Sequence, residues 1–213
     1  MTEIQNNGGD IPDEAAGVED TIPPVSYKLP PRRIPIFFAV LFYGFLTIAG
    51  LVWIYFTGSS KSIADYFAFN VIGVALGVGF AVLVVGLSSA IANFKWAQHL
   101  EEEFGWMLGE QRLWELPILA IISGLGEEVF FRGAMQHHLG LYLTSAVFGI
   151  IHFPINRKFI AWPIFAAAMG LLMGWEYEYT GTLIAPILTH ALINLFNLWR
   201  IVVKYRNIDP ASL

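Results

Sequence analysis

From Ile34 to Phe56 the chain carries no charged residue, and the same holds from Ala68 to Ala92. A run of about 20 mainly apolar residues is the length at which a helix crosses the hydrocarbon core of a bilayer. Inside that core only helices and closed barrels satisfy their own backbone polar groups. These runs are far too long for strands, so they predict helices. Further apolar elements follow at about 117–131, 139–153, 160–175 and 183–199. The expected fold is therefore all-α, a polytopic membrane helix bundle of about six transmembrane segments. Composition agrees: 14% of the residues are charged, against roughly 25% in an ordinary soluble domain. The absence of cysteine excludes disulfides, thiol nucleophiles and thiolate metal sites. The net charge of -5 owes much to acids before Ile22, and with no basic surface evident the chain offers nothing to nucleic acid.

Charge then divides the chain. Residues 1–33 are polar and rich in Gly, Pro, Asp and Glu, which predicts a disordered tail. Lys28, Arg32 and Arg33 stand just before the first apolar run and place that tail in the cytoplasm by the positive-inside rule. Residues 34–92 form a transmembrane helix pair, in which Gly73 and Gly77 stand four apart, a spacing that lets helices approach closely. Residues 93–116 are a connector in which Leu100, Phe104, Met107 and Leu108 recur at helical spacing among charges, as in a helix lying in the headgroup region before the third span. Pro117 suits a first helical position and opens the core, 117–206, with a short tail at 207–213. If all six elements cross, Arg157, Lys158, Arg200, Lys204 and Arg206 share the side of the amino-terminal basic cluster. Glu176 and Glu178, read as the flank after the fifth element, then lie opposite. Both termini are expected in the cytoplasm. Gly170 and Gly174 repeat the close-packing spacing, and no internal repeat is visible.

Away from the ends of the spans, the ionisable groups inside the last four elements are Glu127, Glu128, Arg132, His152 and His190, joined by Asn194. Ionisable groups at membrane depth mark a functional site by default. Glu128 and Arg132 are four apart and meet on one helix face, as do His190 and Asn194. Glu127, about 100° round the helix from Glu128, faces another neighbour. A Glu128–Arg132 pair can simply neutralise two buried charges, but it leaves Glu127 unexplained. A desolvated carboxylate can act as general base near neutral pH, and an imidazole or amide can donate to an oxyanion. Glu127, His152 and His190 are equally a sufficient ligand set for a divalent metal such as zinc. The histidines lie on different helices, so the one-helix motif of soluble zinc proteases is absent.

Glu127-Glu128-Val129-Phe130-Phe131-Arg132, Phe148-Gly149-Ile150-Ile151-His152 and His190-Ala191-Leu192-Ile193-Asn194 resemble the Glu-Glu-x-x-x-Arg, Phe-x-x-x-His and His-x-x-x-Asn motifs of the CPBP family. That family comprises the CAAX prenyl endopeptidases and bacteriocin-processing or immunity proteins (Abi). The resemblance covers about residues 117–198. It implies an intramembrane endopeptidase acting on a membrane-anchored protein or peptide, in a bacterial inner membrane. It also implies Glu127 as the base that activates water, His152 helping to hold that water, Glu128 and Arg132 supporting the site, and His190 and Asn194 binding water or oxyanion. The family has been described both as metalloproteases and as metal-independent glutamate proteases. No outer partners for a zinc ligand set are identifiable in the sequence, which leans toward the metal-independent form. A transporter or proton relay and a non-catalytic scaffold or immunity protein of the same fold are the competing readings.

Depth gives one geometric expectation. At about 1.5 Å per residue, Glu127 and His190 come within about 5 Å of the same level, while His152 falls roughly 10 Å deeper. A shared site therefore requires a displaced fourth helix, with Gly133 to Gly140 forming a link inside the bundle.

Overall fold

A computed structural model describes residues 35–57, 61–109, 111–153 and 161–206. The tail 1–33, the carboxy-terminal 207–213 and the loop with Arg157 and Lys158 lie outside the described residues. The elements in order are α1 (Ile36–Phe56), α2 (Ile63–Tyr66), α3 (Val71–Ile91), α4 (Lys95–Leu108), α5 (Glu115–Glu128), a π-helical segment π1 (Val129–Met135), α6 (Gln136–Ile151), α7 (Ala161–Thr180) and α8 (Ile184–Arg206). No strand occurs among the described residues. The protein is an all-α membrane helix bundle.

Among the described residues, three helices are long and apolar enough to cross a bilayer: Ile36–Phe56, Val71–Ile91 and Ile184–Lys204. The outer faces of α1 and α3 expose Phe37, Phe38, Phe45, Ile48, Ile72 and Val82. An apolar surface of this extent is a liability in water and the expected boundary with lipid. The inner faces are small. A Cβ on Gly77 would meet the Ala185 carbonyl oxygen at 2.7 Å and Leu188 Cβ at 2.9 Å, so the spacing of Gly73 and Gly77 does seat α8 against α3. Helix α4 is amphipathic, as its spacing predicts, and its Glu101 is buried against α8 by ion pairs to Arg200 and to Lys204, the latter at 2.7 Å.

Several boundaries differ from the sequence expectation. Helix α5 begins at Glu115, so Pro117 is its third residue; the absent N–H is still harmless, because the first four amides of a helix have no internal acceptor. Helix α7 continues through Glu176 and Glu178 to Thr180. Glu176 is not a flanking residue: it is fully buried, and its carboxylate accepts a hydrogen bond from Thr189 Oγ1 at 2.7 Å.

The largest difference lies between Glu128 and His152. Residues 133–140 are not a loose link: π1 carries the helix onward, and the chain reverses at Gly140, whose φ of 71° and ψ of 172° lie in a region open to glycine. The ascending leg from Glu127 to Leu139 and the descending leg from Leu141 to His152 are nearly equal, each about 17 Å at helical rise. His152 is thereby returned to the level of Glu127. The displacement of the fourth helix is real, and its cause is a longer third helix.

Candidate functional site

Glu127 and Glu128 end α5, and π1 begins at the next residue. Wide π turns inside helices are rare and recur at functional sites. Within π1, Arg132 lies against Glu128, four residues back, with Nη1 donating to Oε1 at 3.0 Å. Both side chains are essentially sealed, at 1% and 0% exposure. The other guanidinium arm, Nη2, donates to the Gly170 carbonyl at 3.2 Å, and the guanidinium carbon lies 4.6 Å from the centre of the Phe148 ring. One turn further on, Gln136 donates to the Gly174 carbonyl and to Glu178 Oε1, both at 3.0 Å. Gly170 and Gly174 therefore do more than let helices touch. They bring backbone carbonyls of α7 within reach of a cation and an amide.

His190 on α8 approaches the same carboxylate, with Nδ1 2.7 Å from Glu128 Oε1. A carboxylate already paired with a guanidinium is an acceptor, so Nδ1 carries the hydrogen. His152, at the end of α6, has Nδ1 2.7 Å from the Phe148 carbonyl oxygen, which can only accept. In both rings the remaining Nε2 is then a lone pair in the neutral form. The two point to one place: each Nε2 is 3.9 Å from Glu127 Oε2. That oxygen is buried and has no hydrogen-bond partner. Three acceptors converging at this spacing ask for something between them. A water fits, since 3.9 Å is too long for a direct hydrogen bond and short enough for one bridging molecule.

The same set can be tested as a metal centre. The outer partners that the sequence did not disclose exist: Glu128 orients His190, and a carbonyl orients His152. The 3.9 Å separations are wider than those between such ligands. Ligand atoms around a tetrahedral zinc stand about 3.3 Å apart, and among the described residues no group of three or more His, Cys, Asp or Glu is spaced to hold a metal ion.

Asn194, one turn after His190, donates from Nδ2 to Ser123 Oγ at 3.0 Å. Ser123 stands one turn before Glu127 and donates onward to the Ala120 carbonyl. The amide keeps a second N–H for another acceptor. The structure thus brings Glu127, Glu128, Arg132, His152 and His190 into direct or one-water reach, with Asn194 beside them through Ser123. Two members escaped the sequence reading. One is Ser123, a small residue with no motif of its own. The other is Tyr43 on α1, whose side chain stands beside the Glu127 carboxylate. On the side of α4, the Trp162 ring lies 5.8 Å from His152 and 4.5 Å from Phe104, joining the amphipathic helix to the site.

An all-α membrane bundle that buries paired carboxylates beside two oriented imidazoles assembles the groups that acid–base chemistry uses at membrane depth. Residues 109–196 match the family model described as type II CAAX prenyl endopeptidase Rce1-like. The matched segment contains all six motif residues. The chain is also 31% identical over 122 residues to the uncharacterized protein YpbD of Bacillus subtilis (strain 168), an alignment covering 55% of this chain and 63% of that protein. The chain thus spans less than two thirds of the relative's length. No solved structure matches.

Proposed function

We propose that this protein is an intramembrane endopeptidase that hydrolyses a peptide bond of a membrane-anchored or lipidated protein or peptide. The observation that carries the reading is the unpartnered Glu127 Oε2 with the two imidazole Nε2 atoms 3.9 Å away. A water seated there gives one proton toward Glu127 and directs the other to His152 Nε2. As its oxygen attacks the scissile carbonyl, Glu127 takes the proton, and it later returns that proton to the leaving amine. His190, where it enters the reaction already as the imidazolium with its proton taken from solvent, donates from Nε2 to the oxyanion, with Glu128 at Nδ1 as its counter-charge. Asn194 offers its spare N–H to the same oxygen. Arg132 keeps Glu128 ionised and in place. The spacing supports this metal-independent route, and no step needs a metal.

The proposed topology has six crossings with both termini in the cytoplasm, α5 continued by π1, α6 and α7 adding to the three apolar helices. Its partners are the lipid bilayer and the membrane-anchored substrate, and a bacterial inner membrane is its proposed location.

The test is cleavage of a panel of tagged membrane peptides by purified protein, with and without chelator, beside Glu127→Ala. Cleavage that requires Glu127 and survives chelation supports the reading. Loss on chelation, restored by zinc, replaces the metal-independent mechanism with a metal-dependent one. Cleavage by Glu127→Ala at the wild-type rate removes Glu127 from the mechanism.

A further inference from the structure

The segment that carries the family match begins at residue 109, yet Glu127 has a partner far outside it. The side chain of Tyr43 on α1 stands beside the Glu127 carboxylate. The position of Tyr43 is set by backbone contact as well as by its ring. A Cβ on Gly126, the residue just before Glu127, would lie 2.8 Å from the Tyr43 carbonyl oxygen, so only a glycine lets α1 come this close. Thr47 Oγ1 donates to that carbonyl at 2.8 Å. The Tyr43 ring stands edge-on to Phe42 with centroids 5.1 Å apart. Two turns along, α1 is pinned again: a Cβ on Gly50 would lie 3.0 Å from the Phe130 backbone, and Ile54 is buried with Val129 in the core. The two helices are thus in register on either side of the site.

We propose that Tyr43 is a positioning residue of the site. Its phenol donates to the Glu127 carboxylate and holds it with Oε2 turned toward the two imidazoles. Nothing else identified at the site holds this carboxylate directly. His152 and His190 stand 3.9 Å away, and Arg132 is engaged by Glu128 and Gly170. A carboxylate on an otherwise apolar helix end has rotamers to choose from, and one directional donor removes that choice. The first span is then part of the catalytic unit, although no motif in it says so. The alternative is that a tyrosine hydroxyl in lipid has merely found an acceptor, in which case turnover per folded molecule would not depend on it.

This inference rests on reading Glu127 as the base, and the experiment separates the two. The full chain is prepared as wild type, Tyr43→Phe, Glu127→Ala and the double variant. Thermal melts of the four close a double-mutant cycle that needs no substrate. Non-additive melting shifts are expected, with Tyr43→Phe costing less in the Glu127→Ala background than in the wild type. Additive shifts overturn the contact whether or not the protein cleaves anything. On a peptide that the wild type cleaves, Tyr43→Phe is expected to lower kcat about tenfold, the scale of one directed hydrogen bond, and to leave KM within about twofold. An unchanged kcat with a non-additive cycle overturns the positioning role and leaves only a structural bond. If no peptide is cleaved, the function reading fails and the melting cycle alone decides the contact.

Discussion

Replacing Arg132 with alanine tests whether the Glu128–Arg132 pair is as deeply structural as its burial says. The two side chains are 1% and 0% exposed and 3.0 Å apart. Removing the cation leaves a carboxylate out of water with only His190 Nδ1 beside it. Breaking a buried pair from one side costs about 3–5 kcal/mol, and the lost contacts with Gly170 and Phe148 act in the same direction. For a chain of this size that is a drop in melting temperature on the order of 10 °C. Arg132→Met combined with Glu128→Gln is expected to recover most of it, because neither charge then remains and the volumes are nearly kept. The Gln oxygen can still accept from His190. The assay is a thermal melt of the full chain in lipid nanodiscs, run for wild type, both single variants and the pair. If Arg132→Ala melts within the roughly 0.5 kcal/mol typical of a surface pair, or if the double variant equals the sum of the singles, the buried-pair argument is wrong.

His152→Ala is expected to lower cleavage by about 10²–10⁴-fold, the range for losing a group that handles the reacting proton, with a melting temperature close to wild type; activity near normal would contradict its place at the water. Gly77→Leu should force α3 from α8 and destabilise by about 1–3 kcal/mol, whereas Gly79→Leu, with nothing within 4 Å of the new Cβ, should leave the melt unchanged. Equal melts for the two would show that the α3–α8 approach is looser than described. The capping box of α2 supplies a pH effect. Hydrogen bonds from the Ser62 side chain and backbone hold the Asp65 carboxyl below its usual range. A carboxyl depressed in the folded state contributes above its unfolded pKa and loses that contribution as pH falls through the folded one. Protection of the Ser62 amide in hydrogen exchange should therefore fade on acidification in the wild type, and stay low at every pH in Asp65→Ala.

The sequence disclosed the site more fully than the path of the chain around it. Glu127, Glu128, Arg132, His152 and His190 could be gathered because charge inside long apolar runs is rare enough to stand out. Glu176 has the same rarity, but it follows Trp175 in an alternation of acids and aromatics that resembles the end of a span. Its satisfying group, Thr189, sits on the next helix and leaves no local trace. Tyr43 is one of three hydroxyls in the uncharged run from Ile34 to Phe56, and its partner is distant in sequence. The π segment has no residue signature. Only the mismatch in depth between Glu127 and His152 hinted that the third helix continues past Phe131, and the residue that turns the chain, Gly140, is one of many glycines.

Adjacent glutamates would ordinarily repel and share a single fate, and here the fold separates them. Glu128 is surrounded: Arg132 and His190 both reach Oε1, so its charge is committed to holding a cation and an imidazole in place. Glu127, one residue earlier on the same helix, meets no cation directly and keeps Oε2 free of any protein partner. Two carboxylates with environments this different take different roles, one fixed as a counter-charge and one available to exchange a proton. The separation depends on spacing, because Arg132, four residues after Glu128 and five after Glu127, shares a helix face with Glu128. It depends equally on the equal legs either side of Gly140, which return His152 to the level of the free oxygen. A shift of the chain reversal by one helical turn would lengthen one leg and shorten the other, moving His152 about 11 Å along the bundle axis and leaving Glu127 with a single imidazole.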